Sequence, residues 1–170
     1  MNRVALLRAV NVGGRKVAMA DLRALFVKLD FGDAKTLLNS GNVVFSADRR
    51  SDGTLEKLFE AETEKKFKVK AEFFVRTTQE MQALVAANPF PKEAKTDPGH
   101  LLVVFMKNAP SAKDVAAVEA ANKGRERLKA IGKNLYVHYP DGVGESKLRF
   151  PWIGSGRNWN TVLKIVDLLS

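Results

Sequence analysis

Two short segments set glycines directly beside cations, an arrangement by which a backbone turn can take hold of an anion. The first runs Asn11-Val12-Gly13-Gly14-Arg15-Lys16 and the second Gly154-Ser155-Gly156-Arg157-Asn158. Glycine lets successive backbone N–H groups converge on one point, and a following helix adds the partial positive charge of its N-terminus. Asn158 suits the N-cap of a helix beginning there, with Arg157 at the same end and Lys147 and Arg149 a few residues upstream. Neither segment matches the G-x-G-x-x-G turn or the phosphate loop that closes on Gly-Lys-Ser/Thr. A tight turn is the plainer use of Gly13-Gly14.

Covalent and metal chemistry find little support. The chain has no cysteine, which removes disulfides, thiolate nucleophiles and cysteine-based zinc sites. Ser40 lies in Asn39-Ser40-Gly41-Asn42, where Leu38 and Asn42 take the positions that glycines hold in a nucleophile elbow. There are two histidines, His100 and His138, and no spacing supplies a third metal ligand. The carboxylates follow the surface pattern of helices. No catalytic residue, metal motif or cofactor motif is assigned.

The formal net charge is +9, from 28 Lys and Arg against 19 Asp and Glu. The excess is spread along the chain, with one local cluster of Lys123, Arg125, Arg127, Lys129 and Lys133 broken by Glu126. Such a surface attracts polyanions without specifying one, so sequence-tolerant nucleic-acid binding is a second reading beside a small anion. Base recognition by a small α+β module needs aromatic residues on the open face of its central strands. Here the first strand has none and the third has Phe45 alone, in the alternation of a residue that faces the helices. No apolar run approaches the roughly 18–20 residues of a membrane helix. Met1-Asn2-Arg3 passes straight into a strand's worth of apolar residues, so no signal peptide is read and the cytoplasm is the expected location, with no membrane partner.

The elements that must position these residues alternate in a regular way. Val4 to Leu7 reads as a buried strand, and Met19, Leu22, Leu25, Phe26 and Leu29 as one face of a helix closed near Gly32. Ala34 to Leu38 and Val43 to Phe45 read as strands joined by the Asn39–Asn42 turn. A helix over Leu55 to Phe67 and a strand over Ala71 to Val75 complete the order β-α-β-β-α-β, a ferredoxin-like unit. Thr77 and Glu80 then form a capping box, and Asn88-Pro89-Phe90-Pro91 stops the helix they open. A strand over Leu101 to Phe105, a helix capped by Ser111, a hairpin around Gly132-Lys133-Asn134, a glycine-rich loop from Pro140 and a last helix from Asn158 follow. The second half thus repeats the first without its final strand. The expectation is an α+β protein of two ferredoxin-like halves, residues 1–76 and 77–170, with antiparallel sheets.

Leu6-Leu7-Arg8-Ala9-Val10-Asn11-Val12-Gly13-Gly14, then Ser40-Gly41-Asn42-Val43-Val44-Phe45, resemble the opening pattern of the bacterial domain-of-unknown-function 1697 family. Asn88-Pro89-Phe90 is similar to its central motif, and Ser146-Lys147-Leu148 with Arg157-Asn158-Trp159-Asn160 to its closing one. Ala9 stands where glycine is usual, and Gly156 where threonine is frequent. The resemblance implies paired α+β halves and no established activity. It directs attention to Arg8, Asn11, Ser40, Asn42, Lys147, Arg157 and Asn158, since a core does not need a recurring set of Arg, Asn and Lys. With Gly13 and Gly14 these make the candidate site for a small anionic or phosphate-bearing ligand between the halves. A structural or interaction protein, whose polar motifs merely tie the halves together, is the remaining alternative.

Overall fold

The computed structural model describes residues 1–10, 17–38 and 41–170, with backbone alone for Ala9 and Val10. Asn11, Gly13, Gly14 and Ser40 of the candidate site lie outside the described residues. The chain divides into two compact units, Met1–Gln82 together with Ile165–Ser170, and Ala83–Lys164. The last turns of the chain therefore belong with its beginning, a return that no local pattern announces.

In the first unit the order is β1 (Asn2–Val10), α1 (Met19–Lys28), β2 (Lys35–Leu37), β3 (Asn42–Ser46), α2 (Asp52–Phe67) and β4 (Lys70–Thr77). The strands form one antiparallel sheet in the order β2-β3-β1-β4, the expected β-α-β-β-α-β arrangement. One sheet face carries Ala5, Leu7, Val43, Phe45, Phe73 and Val75 under Leu22 and Phe26 of α1 and Leu55 and Phe59 of α2. Phe26 and Phe59 stack with centroids 4.2 Å apart, and Phe45 meets both rings edge-on. Phe45 thus faces the helices, as its alternation predicts. Val4, Leu6, Val44 and Phe74 on the opposite face are buried as well. Burial on both faces explains why β1 and β4 read as continuous apolar runs rather than alternating ones.

Helix α3 (Thr78–Ala86) follows β4 directly. Its capping box closes as expected, with Thr77 N donating to Glu80 Oε2 at 2.7 Å and Glu80 N to Thr77 Oγ1 at 3.1 Å. Pro91 does not only stop that helix. It sits in the first turn of a further short one, α4 (Pro91–Thr96), where a missing N–H costs nothing.

The second unit continues with a 3₁₀ turn (Pro98–His100), β5 (Leu101–Met106), α5 (Ala112–Ala121), β6 (Arg127–Ile131), β7 (Asn134–His138), β8 (Gly154–Asn158) and the opening turns of α6 (Trp159–Leu169), whose residues from Ile165 on belong to the first unit. Ser111 caps α5 by accepting from Asp114 N, and Gly132 turns the β6–β7 hairpin at φ +58°. The sheet order is β6-β7-β5-β8, antiparallel throughout. This corrects the sequence reading in one respect: the fourth strand is present, and it is the glycine-rich segment itself. Gly154–Asn158 pairs along β5 because its glycines let it lie close there; a Cβ on Gly154 would stand 2.5 Å from Val104 Cγ1 and 2.7 Å from the Phe105 carbonyl oxygen. No helix occupies the connection from β7 to β8. Residues 139–153 run across the sheet instead, and Tyr139, Leu148, Phe150 and Trp152 pack there against Val104, Leu135 and Val137. Phe150 and Trp152 lie nearly parallel, 5.9 Å apart, where the first unit has an aromatic-bearing helix.

Candidate functional site

The candidate residues of the first unit serve its sheet. Arg8 on β1 stands opposite Glu72 on β4, and its Nη1 lies 3.3 Å from the Glu72 carboxylate, a half-exposed cross-strand ion pair. Asn42 is fully buried, and its amide donates to the Leu37 carbonyl across the hairpin at 2.8 Å. Gly41 beside it holds φ +83°, and a Cβ there would stand 2.7 Å from Leu7 Cβ, so the motif Gly41-Asn42 is a turn that only glycine can make.

Arg157 and Asn158 belong to the end of β8 and the start of α6. Ser155 and Arg157 share one buried face of the strand, and Arg157 Nη1 donates to Ser155 Oγ at 2.7 Å and to the Gly156 carbonyl at 2.8 Å. Burial lowers the guanidinium pKa to about 10. Asn158 accepts from Thr161 N at 3.0 Å and so caps α6 as expected. The glycines around Arg157 bring two strands together.

Lys147 stands elsewhere in the second unit, in a cavity of about 600 Å³. Four cations line it: Lys123 and Arg125 from the turn after α5, and Lys147 and Arg149 from the segment that covers the sheet. That segment presents Lys147 and Arg149 outward and Leu148 inward, so the alternation that buries one side chain in the core delivers the other two to the surface. Three carboxylates share the lining, and two are already committed. Asp141 takes the fork of Arg125, which holds the acid below and the base above its ordinary range. Glu126 Oε1 accepts from Ser146 Oγ at 2.6 Å, which keeps its carboxyl below the usual range. Lys123, Lys147 and Arg149 have no ion-pair partner among the described residues. Arg149 Nη1 donates to the Ser146 and Leu148 carbonyls, which fixes its stem.

A second cavity of about 370 Å³ adjoins this one, since Asn122 and Glu126 line both. Its wall is Pro89 and Phe90, and Arg127 lays its guanidinium over the Phe90 ring, 5.1 Å from the centroid, while pairing with Glu93. Asn122 Nδ2 donates to the Glu126 carbonyl and its Oδ1 accepts from Gly124 N, so this side chain staples the turn between the cavities. The basic stretch singled out in the sequence is thereby dispersed. Lys123 and Arg125 face one cavity, Arg127 and Lys129 the other, and Lys129 stands on β6, an edge strand that lysine protects from pairing.

Three charged groups that the sequence reading did not single out are buried in the first unit. Arg76 Nη1 donates to the Val75 carbonyl, and burial lowers its pKa against the pull of Glu80, Glu56 and Asp52. Glu56 accepts from Val75 N on the sheet edge, and Arg3 lies with Nε 3.5 Å from Asp52 while donating to the Arg50 carbonyl. The signal was an arginine interrupting the apolar run Phe73-Phe74-Val75. In the second unit both histidines converge on one carboxylate: His138 Nε2 and His100 Nδ1 each lie 3.0 Å from Asp97 oxygens, and the His138 bond above all holds that acid below its usual range. Among the described residues no group of three side chains is placed to hold a metal ion, and no helix is long and apolar enough to cross a membrane.

A family model described as a protein of unknown function (DUF1697) matches residues 1–136, and the chain belongs to that family. The opening and central motifs fall within the match; Ser146-Lys147 and Arg157-Asn158 lie beyond it. No curated protein matches the chain. Among solved structures, a conserved bacterial protein from Streptococcus pneumoniae is similar at 21% identity with a TM-score of 0.76, over 99% of this chain and 98% of that one. At that identity the likeness speaks for the fold: an α+β protein with two four-stranded antiparallel sheets.

Proposed function

Starting from membership of a family whose description assigns no activity, we propose that this protein binds a small anionic or phosphate-bearing ligand in the 600 Å³ cavity of its second unit. One observation carries the reading: Lys123, Lys147 and Arg149 converge there from two segments of the chain and none is ion-paired among the described residues, while of the three acids in the lining Asp141 and Glu126 are occupied and Glu145 alone is left against three cations. Converging cations on a partly enclosed surface raise the local concentration of an anion and hold its oxygens. Of the residues favoured from sequence, Lys147 carries into this site.

Calorimetric titration at low ionic strength with inorganic phosphate, sugar phosphates and nucleotides tests the proposal. Binding tighter than millimolar, weakened about tenfold when Lys147→Ala and Arg149→Ala are combined, is the expected result; a loss of that size corresponds to about 1.4 kcal/mol. No binding tighter than millimolar, or binding indifferent to both substitutions, overturns it. The nucleic-acid reading replaces it if a single-stranded oligonucleotide binds with an affinity that falls steeply with salt while no small anion binds.

A further inference from the structure

The two adjoining cavities differ in chemistry, and the difference specifies more than an anion. We infer that the ligand is a nucleotide, its phosphate held among Lys123, Lys147 and Arg149 and its base placed against Phe90 and Arg127 in the smaller cavity; this rests on the anion-binding reading of the larger one.

The smaller cavity is built from flat surfaces. Pro89 lines it, and Phe90 is buried with the Arg127 guanidinium over its ring, so the plane presented is the guanidinium, backed by Phe90 and held in place by Glu93. A guanidinium plane fixed in that way is a platform on which a heteroaromatic ring stacks as readily as on an aromatic side chain. Leu128, buried in the core of the unit, adds to the apolar lining. An inorganic ion gains nothing from such walls, and a ribose, which has no π face to set against them, gains less than a base.

Between the two cavities stands Glu126, an acceptor-only group at neutral pH. Its Oε1 takes the Ser146 hydroxyl, whereas Oε2 is buried and receives no hydrogen bond. Gly124 packs against that carboxylate so closely that a Cβ would collide with Oε2, and the absence of a side chain there is what gives the carboxylate its room. A carboxylate that lines both cavities offers an acceptor to a ligand hydroxyl placed between them. A ribose joining base to phosphate has hydroxyls to offer at that point, between a π-walled slot and a cluster of cations. Three features in sequence along the groove thus match the three parts of a nucleotide.

The test compares nucleoside 5′-monophosphates with ribose 5-phosphate, adenosine and inorganic phosphate by calorimetry on the full chain. The monophosphates are expected to bind at least about fivefold more tightly than ribose 5-phosphate or adenosine, the low end of what one stacked base contributes. Arg127→Gln, and separately Phe90→Leu, should bring nucleotide affinity down to that of ribose 5-phosphate while leaving ribose 5-phosphate itself unchanged. The surface substitution at Arg127 keeps the test valid if the change at Phe90 disturbs folding. Equal affinity for ribose 5-phosphate and the nucleotides, or nucleotide binding indifferent to Arg127→Gln, overturns the inference and leaves the anion site standing. Binding of none of the phosphates removes both.

Discussion

Arg157 and Ser155 lie two residues apart on the same buried face of β8, joined by a 2.7 Å hydrogen bond from the guanidinium to the hydroxyl. A glycine-flanked arginine that looks in sequence like an anion hook is here a buried donor, with two of its hydrogen bonds made within its own strand. Arg157→Ala should destabilise the protein by about 2–3 kcal/mol, the scale of hydrogen bonds to a buried charged group, and Ser155→Ala by about 1 kcal/mol. Urea denaturation should show a lower midpoint with an unchanged slope. Phosphate binding should be unaffected, because neither residue lines the cationic cavity. A stability change under 0.5 kcal/mol for Arg157→Ala would sink this account.

Tyr136 is fully buried, its hydroxyl donates to the Leu84 carbonyl at 2.7 Å, and burial pushes its pKa up to about 12. The unfolded phenol titrates near 10. Between about pH 10 and 12 the unfolded state therefore holds fewer protons than the folded one, and stability falls as pH rises. The contribution is complete below pH 10 and lost by about 12. Arg157, lowered to about 10, acts in the opposite sense above that pH, and cancels when Tyr136→Phe is compared with the parent. The variant should be about 1 kcal/mol less stable at pH 8, and the difference should shrink by pH 11. Urea midpoints at the two pH values decide it; a constant difference would show that the phenol does not titrate this way.

Gly154 and Gly156 stand two residues apart on one strand and make unequal demands. Gly154→Ala would drive a methyl into Val104 and the Phe105 backbone, and should cost on the order of 1–3 kcal/mol. At Gly156 the nearest atoms to a Cβ are ordinary neighbours at 3.6 and 4.0 Å, so Gly156→Ala should be neutral or stabilising by a few tenths of a kcal/mol. Thermal unfolding of the pair would expose an error if both proved equally tolerant.

The Thr77–Glu80 box predicts coupled losses. Thr77→Ala removes the acceptor for Glu80 N and Glu80→Ala the acceptor for Thr77 N; each should cost about 1 kcal/mol, and the double variant less than their sum, because each bond holds the turn in which the other forms. Strict additivity in the double-mutant cycle would mean that the two bonds act independently.

These cases also mark where local sequence signals suffice. Strands with apolar runs, the Thr77 and Ser111 caps and the Gly132 turn are written in residues near one another, and the structure has them where the pattern puts them. β8 is not legible in this way. Its residues Gly154, Ser155 and Gly156 carry no strand preference, and what makes them a strand is β5, some fifty positions earlier. The cationic cavity fails to show for a related reason. Lys123 and Lys147 come together because Ser146 bonds to Glu126 and Asp141 to Arg125, and neither contact has a spacing to reveal it. Arg76 and Glu56 read as surface charges until the packing around β4 encloses them.

The sheet cover made by residues 139–153 has a dynamic corollary. Its side chains pack on the core, yet beyond Tyr139, whose N–H still bonds to the His100 carbonyl, its backbone joins no ladder, so it can lift away without breaking a strand pairing. Backbone amides in this stretch should exchange with solvent faster than those of β5 and β7, through openings smaller than global unfolding. Lys147 and Arg149 ride on that same stretch. An anion that bridges them to Lys123 would clasp the loosest layer of the unit to its framework, and the occupied protein would be recognised by slowed exchange along residues 139–153.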